Sequence, residues 1–376
     1  MEHYLDNSAT TRVCPEAAEA AMDAMLNTYG NPSSTYTKGR EARKLLDRSR
    51  RSVAAALGCE PTELVFTSCG SESDNWALIG GAEAMHRKGN HIITSLVEHD
   101  AIRNTAAELE RRGFEVTYLK PDSTGRIDPE SVRAALRPDT ILVSLMLVNN
   151  ETGAVTDISA VSRILKAEKS PALLHTDAVQ GFMKLDFTAK SLGADLISVS
   201  GHKIHAPKGI GALYIRSGLR LKPFLVGGGQ EEGRRAGTEA LPQIAAFGTA
   251  CALAKAGLKE NSAHMCALKA QLIRRLPEVI PDIRMLETDA PHILSVSLPG
   301  FRSEVLMNFL EAREIYVSRS SACKKGARSH VLEAIGMEPR LIDGALRIGL
   351  CRYNTQEDID ALVEALGEAY RTLAHR

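Results

Sequence analysis

Ala172-Leu173-Leu174-His175-Thr176-Asp177 is a short apolar run that closes on a carboxylate, and Ser200-Gly201-His202-Lys203 lies about one helix-and-strand crossover further on. Similar runs recur on both sides. Residues 63–67, 91–95, 115–119, 172–176, 195–200 and 211–215 read as strands, and 140–148 reads as a buried apolar run. Between them, residues 72–88, 100–112, 129–136 and 158–168 carry the apolar spacing of helices. Strands alternating with helices at this spacing predict an α/β fold, a mostly parallel sheet with helices on both faces. Ligands in such sheets gather at the carboxyl ends of the strands. The loops after Phe66, Val148, Thr176 and Ser200 are therefore where chemistry is expected.

Past about residue 255 the rhythm changes. One long Ala/Leu/Lys/Arg-rich helix is expected over 243–276, broken near Asn261, and it would connect two domains. A strand at 293–298, a helix at 304–313, a strand at 346–349 and a terminal helix at 356–374 then describe a smaller α+β unit. A chain of 376 residues suits two domains, at roughly 100–200 residues each. The expected division places a large domain at 14–258 and a small one at 1–13 and 259–376.

Hydrophobic residues make up 44% and charged residues 24% of the chain, close to globular averages of about 45–50% and about 25%, which excludes disordered and fibrous classes. The 46 Lys+Arg balance 46 Asp+Glu, so no basic field exists to hold nucleic acid or an anionic membrane surface. No apolar run approaches the ~20 residues of a membrane span, and Met1-Glu2-His3-Tyr4-Leu5-Asp6 has no signal-peptide pattern. The seven cysteines are odd in number and form no Cys-x-x-Cys pair, which argues against a disulfide framework or a zinc site. A soluble, reduced, cytoplasmic protein is expected, with no metal, no membrane and no direct nucleic-acid partner.

A lysine after a strand is ordinarily a solvated surface residue. Asp177 on the neighbouring strand end changes that reading of Lys203, although an Asp there also suits a helix N-cap. A carboxylate and a lysine on adjacent strand ends are what pyridoxal 5'-phosphate needs: the lysine forms the Schiff base, and the aspartate keeps the pyridine nitrogen protonated. Thr67-Ser68-Cys69-Gly70-Ser71-Glu72-Ser73 joins a strand to a helix, and its small residues at a helix N-terminus would seat the phosphate. The hydroxyls of Ser71 and Ser200 are further phosphate donors. By itself such a turn is common in α/β proteins. His99 follows a strand in Val97-Glu98-His99-Asp100, where an imidazole facing the cofactor could stack on it and relay protons. Asn149-Asn150-Glu151-Thr152-Gly153 directly after a buried strand belongs at a site or a turn.

With these motifs in order, the chain resembles the fold-type I, class V aminotransferase family of pyridoxal phosphate enzymes, and within it the NifS/IscS-type cysteine desulfurases. The resemblance runs almost end to end. It passes through Tyr4-Leu5-Asp6-Asn7-Ser8-Ala9-Thr10-Thr11, Gly30-Asn31-Pro32-Ser33-Ser34, Asn149 to Gly153, Ser200 to Lys203 and Pro207-Lys208-Gly209. It continues through Gly227-Gly228-Gly229-Gln230-Glu231 and Arg235-Ala236-Gly237-Thr238 to Ser321-Ala322-Cys323. It implies a large domain with a mostly parallel seven-stranded sheet beside a smaller α+β domain. It also implies that Lys203 carries the cofactor, Asp177 meets its ring nitrogen and His99 stacks on it as the acid–base group. Asn150 and Gln180 would bond the phenolic oxygen and the substrate, while Gly70, Ser71, Ser200 and His202 would hold the phosphate. Thr238 would reach the phosphate of the other subunit, which makes the protein a homodimer. Arg347 would clamp the substrate carboxylate.

Cys323 decides the activity. In the family this cysteine attacks the sulfur of cofactor-bound L-cysteine, leaving L-alanine and a persulfide for an acceptor protein in iron–sulfur cluster, thio-tRNA or cofactor synthesis. Arg319, Lys324, Lys325 and Arg328 surround Cys323 in sequence, and positive charge favours thiolate. The chain departs from the family at Arg319-Ser320, where Ser-Gly usually precedes Ser-Ala-Cys, at Tyr36, which often is His, and at Cys69, which usually is Gly. The alternatives are an aminotransferase or selenocysteine lyase on the same scaffold, or a non-catalytic sulfur-relay protein.

Overall fold

The computed structural model describes residues 2–320 and 328–373. Its centre is a seven-stranded sheet in the order Leu64–Thr67, Gly211–Ile215, Leu196–Ser200, Leu173–Asp177, Thr140–Ser144, His91–Ser95, Glu115–Leu119. Gly211–Ile215 runs antiparallel to both its neighbours, and the remaining pairings are parallel. Apart from the edge strand Glu115–Leu119, the strands are buried on both faces, as a helix-covered parallel sheet requires. Alternation of side chains sorts them into two cores. Phe66, Ile93, Val143, Leu174 and Ile197 pack on one face with Leu46 and Phe247 from helices Thr37–Leu57 and Leu241–Ala256. Val65, Ile92, Leu142, Leu173 and Leu196 pack on the other with Trp76 and Ile102 from helices Gly70–Met85 and Asp100–Arg111.

A separate core gathers Leu272, Leu276, Leu306, Leu346, Ile348, Leu362 and Leu366. Here helices Leu258–Val279, Ser303–Glu311 and Gln356–Thr372 accompany an antiparallel sheet ordered Ser318–Arg319, Ala345–Gly349, Ile293–Ser297, Arg284–Leu286. The amino end joins this unit: His3–Tyr4 pairs with Ile315–Tyr316, and Leu5 sits in its core.

Two expectations change. The long helix breaks at Gly257, between Leu241–Ala256 and Leu258–Val279, and not at Asn261. Asn261 lies inside the second helix with its N–H on the Gly257 carbonyl at 2.8 Å. The run 140–148 is a strand only to Ser144. Its extension leaves regular pairing but stays tied to the neighbouring strand, Leu147 N–H meeting Asp177 O at 2.9 Å.

Candidate active site

A cavity of about 490 Å³ opens at the carboxyl ends of the strands. Ten residues expected at the site line it together: Gly70, Ser71, His99, Asn150, Asp177, Gln180, Ser200, His202, Lys203 and Arg347. Thr238 is exposed and lies outside it. Cys323 lies outside the described residues.

Lys203 ends a one-turn helix, Gly201–Lys203, that follows the strand Leu196–Ser200. Its Nζ donates to the carbonyl oxygens of Ser8 and Ala9 at 2.5 and 2.7 Å. These are neutral acceptors, so burial, together with the Arg347 charge, pulls the ammonium down from 10.5 to about 7. Asp177 closes the adjacent strand. It is buried, and its Oδ1 accepts the Val179 N–H at 2.9 Å. Burial raises its pKa, while His99 and Lys203 oppose the rise. Asp74, from the helix Gly70–Met85, is buried close by, and burial plus the Asp177 charge raise it well above its ordinary range.

The helix Gly70–Met85 begins without a side-chain cap, so its first-turn N–H groups have no intrahelical partner. A Cβ at Gly70 would stand 2.8 Å from Val179 Cγ2, which keeps this end of the cavity free of side chains. Ser200 Oγ is buried without a hydrogen-bond partner among the described residues. An uncapped helix end beside an orphaned hydroxyl suits a phosphate. His202, pushed down to about 4 by burial, is held at Thr10 Oγ1 and presents a neutral ring.

His99 caps the helix Asp100–Arg111 by accepting the Ala101 N–H on Nδ1 at 3.1 Å, so its bland role and its place in the cavity coexist. Gln180 is partly committed: Nε2 donates to Ser8 O at 2.9 Å, and Oε1 meets His292 Nε2 at 3.3 Å. Asn149 shapes the turn after the strand, with Oδ1 accepting the N–H groups of Glu151 and Thr152. Arg347 is buried and triply anchored. Nη1 donates to Asn150 O at 2.9 Å, and Nη2 donates to Asp6 Oδ1 at 3.1 Å and Ser318 Oγ at 2.8 Å. Its Nε has no hydrogen-bond partner among the described residues.

Several groups here escaped sequence reasoning. The carbonyls of Ser8 and Ala9 hold Lys203, although the run that contains them was recognisable. Glu98 is buried and raised to about 8, and its Oε1 accepts from Ser95 Oγ and the Met146 N–H. Glu151, in the run expected at a site or a turn, is raised to about 7 by burial, with Ser329 Oγ donating to it. Arg103, Arg328 and His330 also line the cavity. Arg319 pairs with Glu304 and Arg328 with Asp343, so each of these guanidiniums has a carboxylate partner.

The chain belongs to the class-V aminotransferase family, whose model matches residues 3–362. It is 43% identical to a cysteine desulfurase IscS of Methanosarcina thermophila, over 98% of this chain and 92% of that protein. Among solved structures, a NifS-like protein superposes with a TM-score of 0.94 at 38% identity, covering 99% of this chain and all of that one. SspA in complex with cysteine superposes with a TM-score of 0.81 at 32% identity over 94% of this chain and 100% of the other.

Proposed function

We propose that this member of the family is a cysteine desulfurase that uses pyridoxal 5'-phosphate, removing sulfur from L-cysteine to leave L-alanine. The observation that carries the reading is Lys203: a buried amine on neutral acceptors, on the strand end next to Asp177, in one cavity with Arg347. The orphaned Ser200 Oγ and the uncapped helix at Gly70 fit the cofactor's phosphate, and Asp177 fits its ring nitrogen. Lys203 would hold the cofactor through Nζ, His99 would stack on it, and Asn150 and Gln180 would meet its phenolic oxygen. Ser71 and His202 would add phosphate contacts, completed by Thr238 of the partner subunit in a homodimer. Met22, Met25, Leu26 and Tyr29 are exposed on and just after the helix Pro15–Leu26, which supports a second copy covering that face. The expected division into domains at 14–258 and at 1–13 with 259–376 is consistent with cores on both faces of the large sheet and a separate one around the small sheet.

When bound, the cofactor supplies an electron sink for negative charge at the substrate's Cα. The chain's own residues do the rest. Arg347 binds the substrate carboxylate through Nε, which no described residue engages, and fixes the orientation of Cα. Near neutral pH Lys203 is available as a free amine and takes the Cα proton. Asp177 stays buried opposite these cations. His99 delivers a proton to the remaining three-carbon fragment. Cys323 thiolate takes the sulfur as a persulfide and passes it to an acceptor protein serving cluster, thio-tRNA or cofactor synthesis in a reducing cytoplasm. No helix among the described residues is long and apolar enough to cross a membrane.

Incubation of the purified, cofactor-loaded protein with L-cysteine and a reductant should give alanine and sulfide in equal amounts. Lys203→Ala should lose both, and the protein should sediment at about twice the 40.7 kDa chain mass. Amino transfer to pyruvate without sulfide would replace this reading with an aminotransferase.

A further inference from the structure

His330 brings a second imidazole to the same cavity. It is the first residue of the short helix His330–Ala334, whose cap Ser329 accepts the Leu332 N–H at 3.1 Å. Its Nε2 lies 3.2 Å from the Glu98 carbonyl oxygen. A carbonyl oxygen only accepts, so Nε2 carries the hydrogen and Nδ1 of the neutral ring is a bare acceptor. No hydrogen bond reaches that Nδ1 among the described residues. Burial, with help from the Arg103 charge, lowers the pKa of the ring and favours this neutral form. The charged and titratable groups that face it are Arg103, Asp100 and His99, with Asp100 opposing the shift.

His99 is the same tautomer with the other nitrogen committed. Its Nδ1 accepts the Ala101 N–H, so its hydrogen sits on Nε2. The cavity therefore holds one imidazole whose second nitrogen donates and one whose second nitrogen accepts. An α-amino acid with its carboxylate on Arg347 and its nitrogen toward Lys203 leaves its side chain to the rest of the lining, which includes Asn150, Glu151, Arg103 and His330. Arg103 only donates and is paired with Asp100 at 3.2 Å, and Glu151 is engaged with Ser329. His330 Nδ1 is an uncommitted neutral acceptor among them, while the Asn150 amide is the group proposed for the cofactor's phenolic oxygen.

We propose that His330 determines side-chain specificity by accepting the S–H hydrogen bond of the substrate thiol on Nδ1. The bond keeps the sulfur a neutral thiol, which a thiolate approaches without charge repulsion, and it fixes where that sulfur lies. This assignment rests on the desulfurase reading above and adds to it the group that recognises the thiol.

The test compares wild type, His330→Phe and His330→Gln as cofactor-loaded enzymes. A single hydrogen bond sets the scale, so kcat/KM for L-cysteine should fall about 2- to 10-fold in His330→Phe, mainly through KM. L-Selenocysteine, whose side chain is a selenolate at neutral pH with no hydrogen to donate, should change less than about 2-fold. Equilibrium affinity for L-alanine, which has no side-chain donor, should not change. His330→Gln retains an acceptor and should recover part of the loss. Equal losses on all three ligands would mark His330 as merely structural and overturn the proposal, as would an unchanged KM for L-cysteine. A wild type that releases no sulfur would sink the desulfurase reading instead, and the relative affinities for L-cysteine and L-alanine would still decide the role of His330.

Discussion

Lys203 illustrates how backbone atoms set the chemistry of a side chain. Two carbonyl oxygens, of Ser8 and Ala9, satisfy its hydrogens without neutralising its charge, and burial then favours the free amine. Free amine is the form that adds to an aldehyde, and its fraction grows as pH rises through about 7. Capture of pyridoxal phosphate by the cofactor-free protein, followed by growth of its visible band, should speed up across that pH and level off above it. An acceleration that continues toward pH 10.5, the ordinary lysine value, would contradict this environment. The lysine and its aspartate were legible in sequence because each follows a recognisable strand. The two carbonyls were not, since a backbone oxygen has no letter of its own. Asp74 and His330 were missed for a related reason: one carboxylate in a helix, or one imidazole near a loop, reads as a solvated residue until the fold buries it.

At the scale of elements, the strands were the most legible part. His91–Ser95, Glu115–Leu119 and Gly211–Ile215 fall where apolar and β-branched runs predicted them. Helices Pro15–Leu26 and Thr37–Leu57 were not anticipated, and the second carries so many charges that its buried stripe of Ala42, Leu46, Ser49 and Val53 is easily overlooked. That helix has a structural task. Arg50 reaches across to Glu231, whose carboxylate takes both guanidinium nitrogens at 2.6 and 2.9 Å and the Phe66 N–H at 3.0 Å. Glu231 is itself buried in a left-handed conformation with φ 48°. The pair thus joins a helix, an outer strand of the large sheet and the segment leading to Arg235, which in turn bonds Glu72 at 2.9 Å beside the turn proposed to seat the phosphate. Arg50→Ala strands a buried carboxylate and should cost about 3–5 kcal/mol in denaturant unfolding. A loss below about 1 kcal/mol, as for an exposed ion pair, would show that Glu231 finds water or another partner.

For the whole molecule, the site is shared between chain regions far apart in sequence. Asp6, at the amino end, and Ser318 hold Arg347, while Ser8 and Ala9 hold Lys203. The amino-terminal segment thus touches both the cation proposed to bind the substrate and the amine proposed to carry the cofactor, which couples the large sheet to the smaller one. If this assembly moves sulfur from L-cysteine to one thiol, mass spectrometry of the cofactor-loaded protein after brief exposure to L-cysteine without reductant reads the transfer directly. One added sulfur is expected on Cys323, absent in Lys203→Ala, with the other six cysteines unchanged. Alanine formed while Cys323 remains unmodified, or sulfur spread evenly over the cysteines, would contradict it.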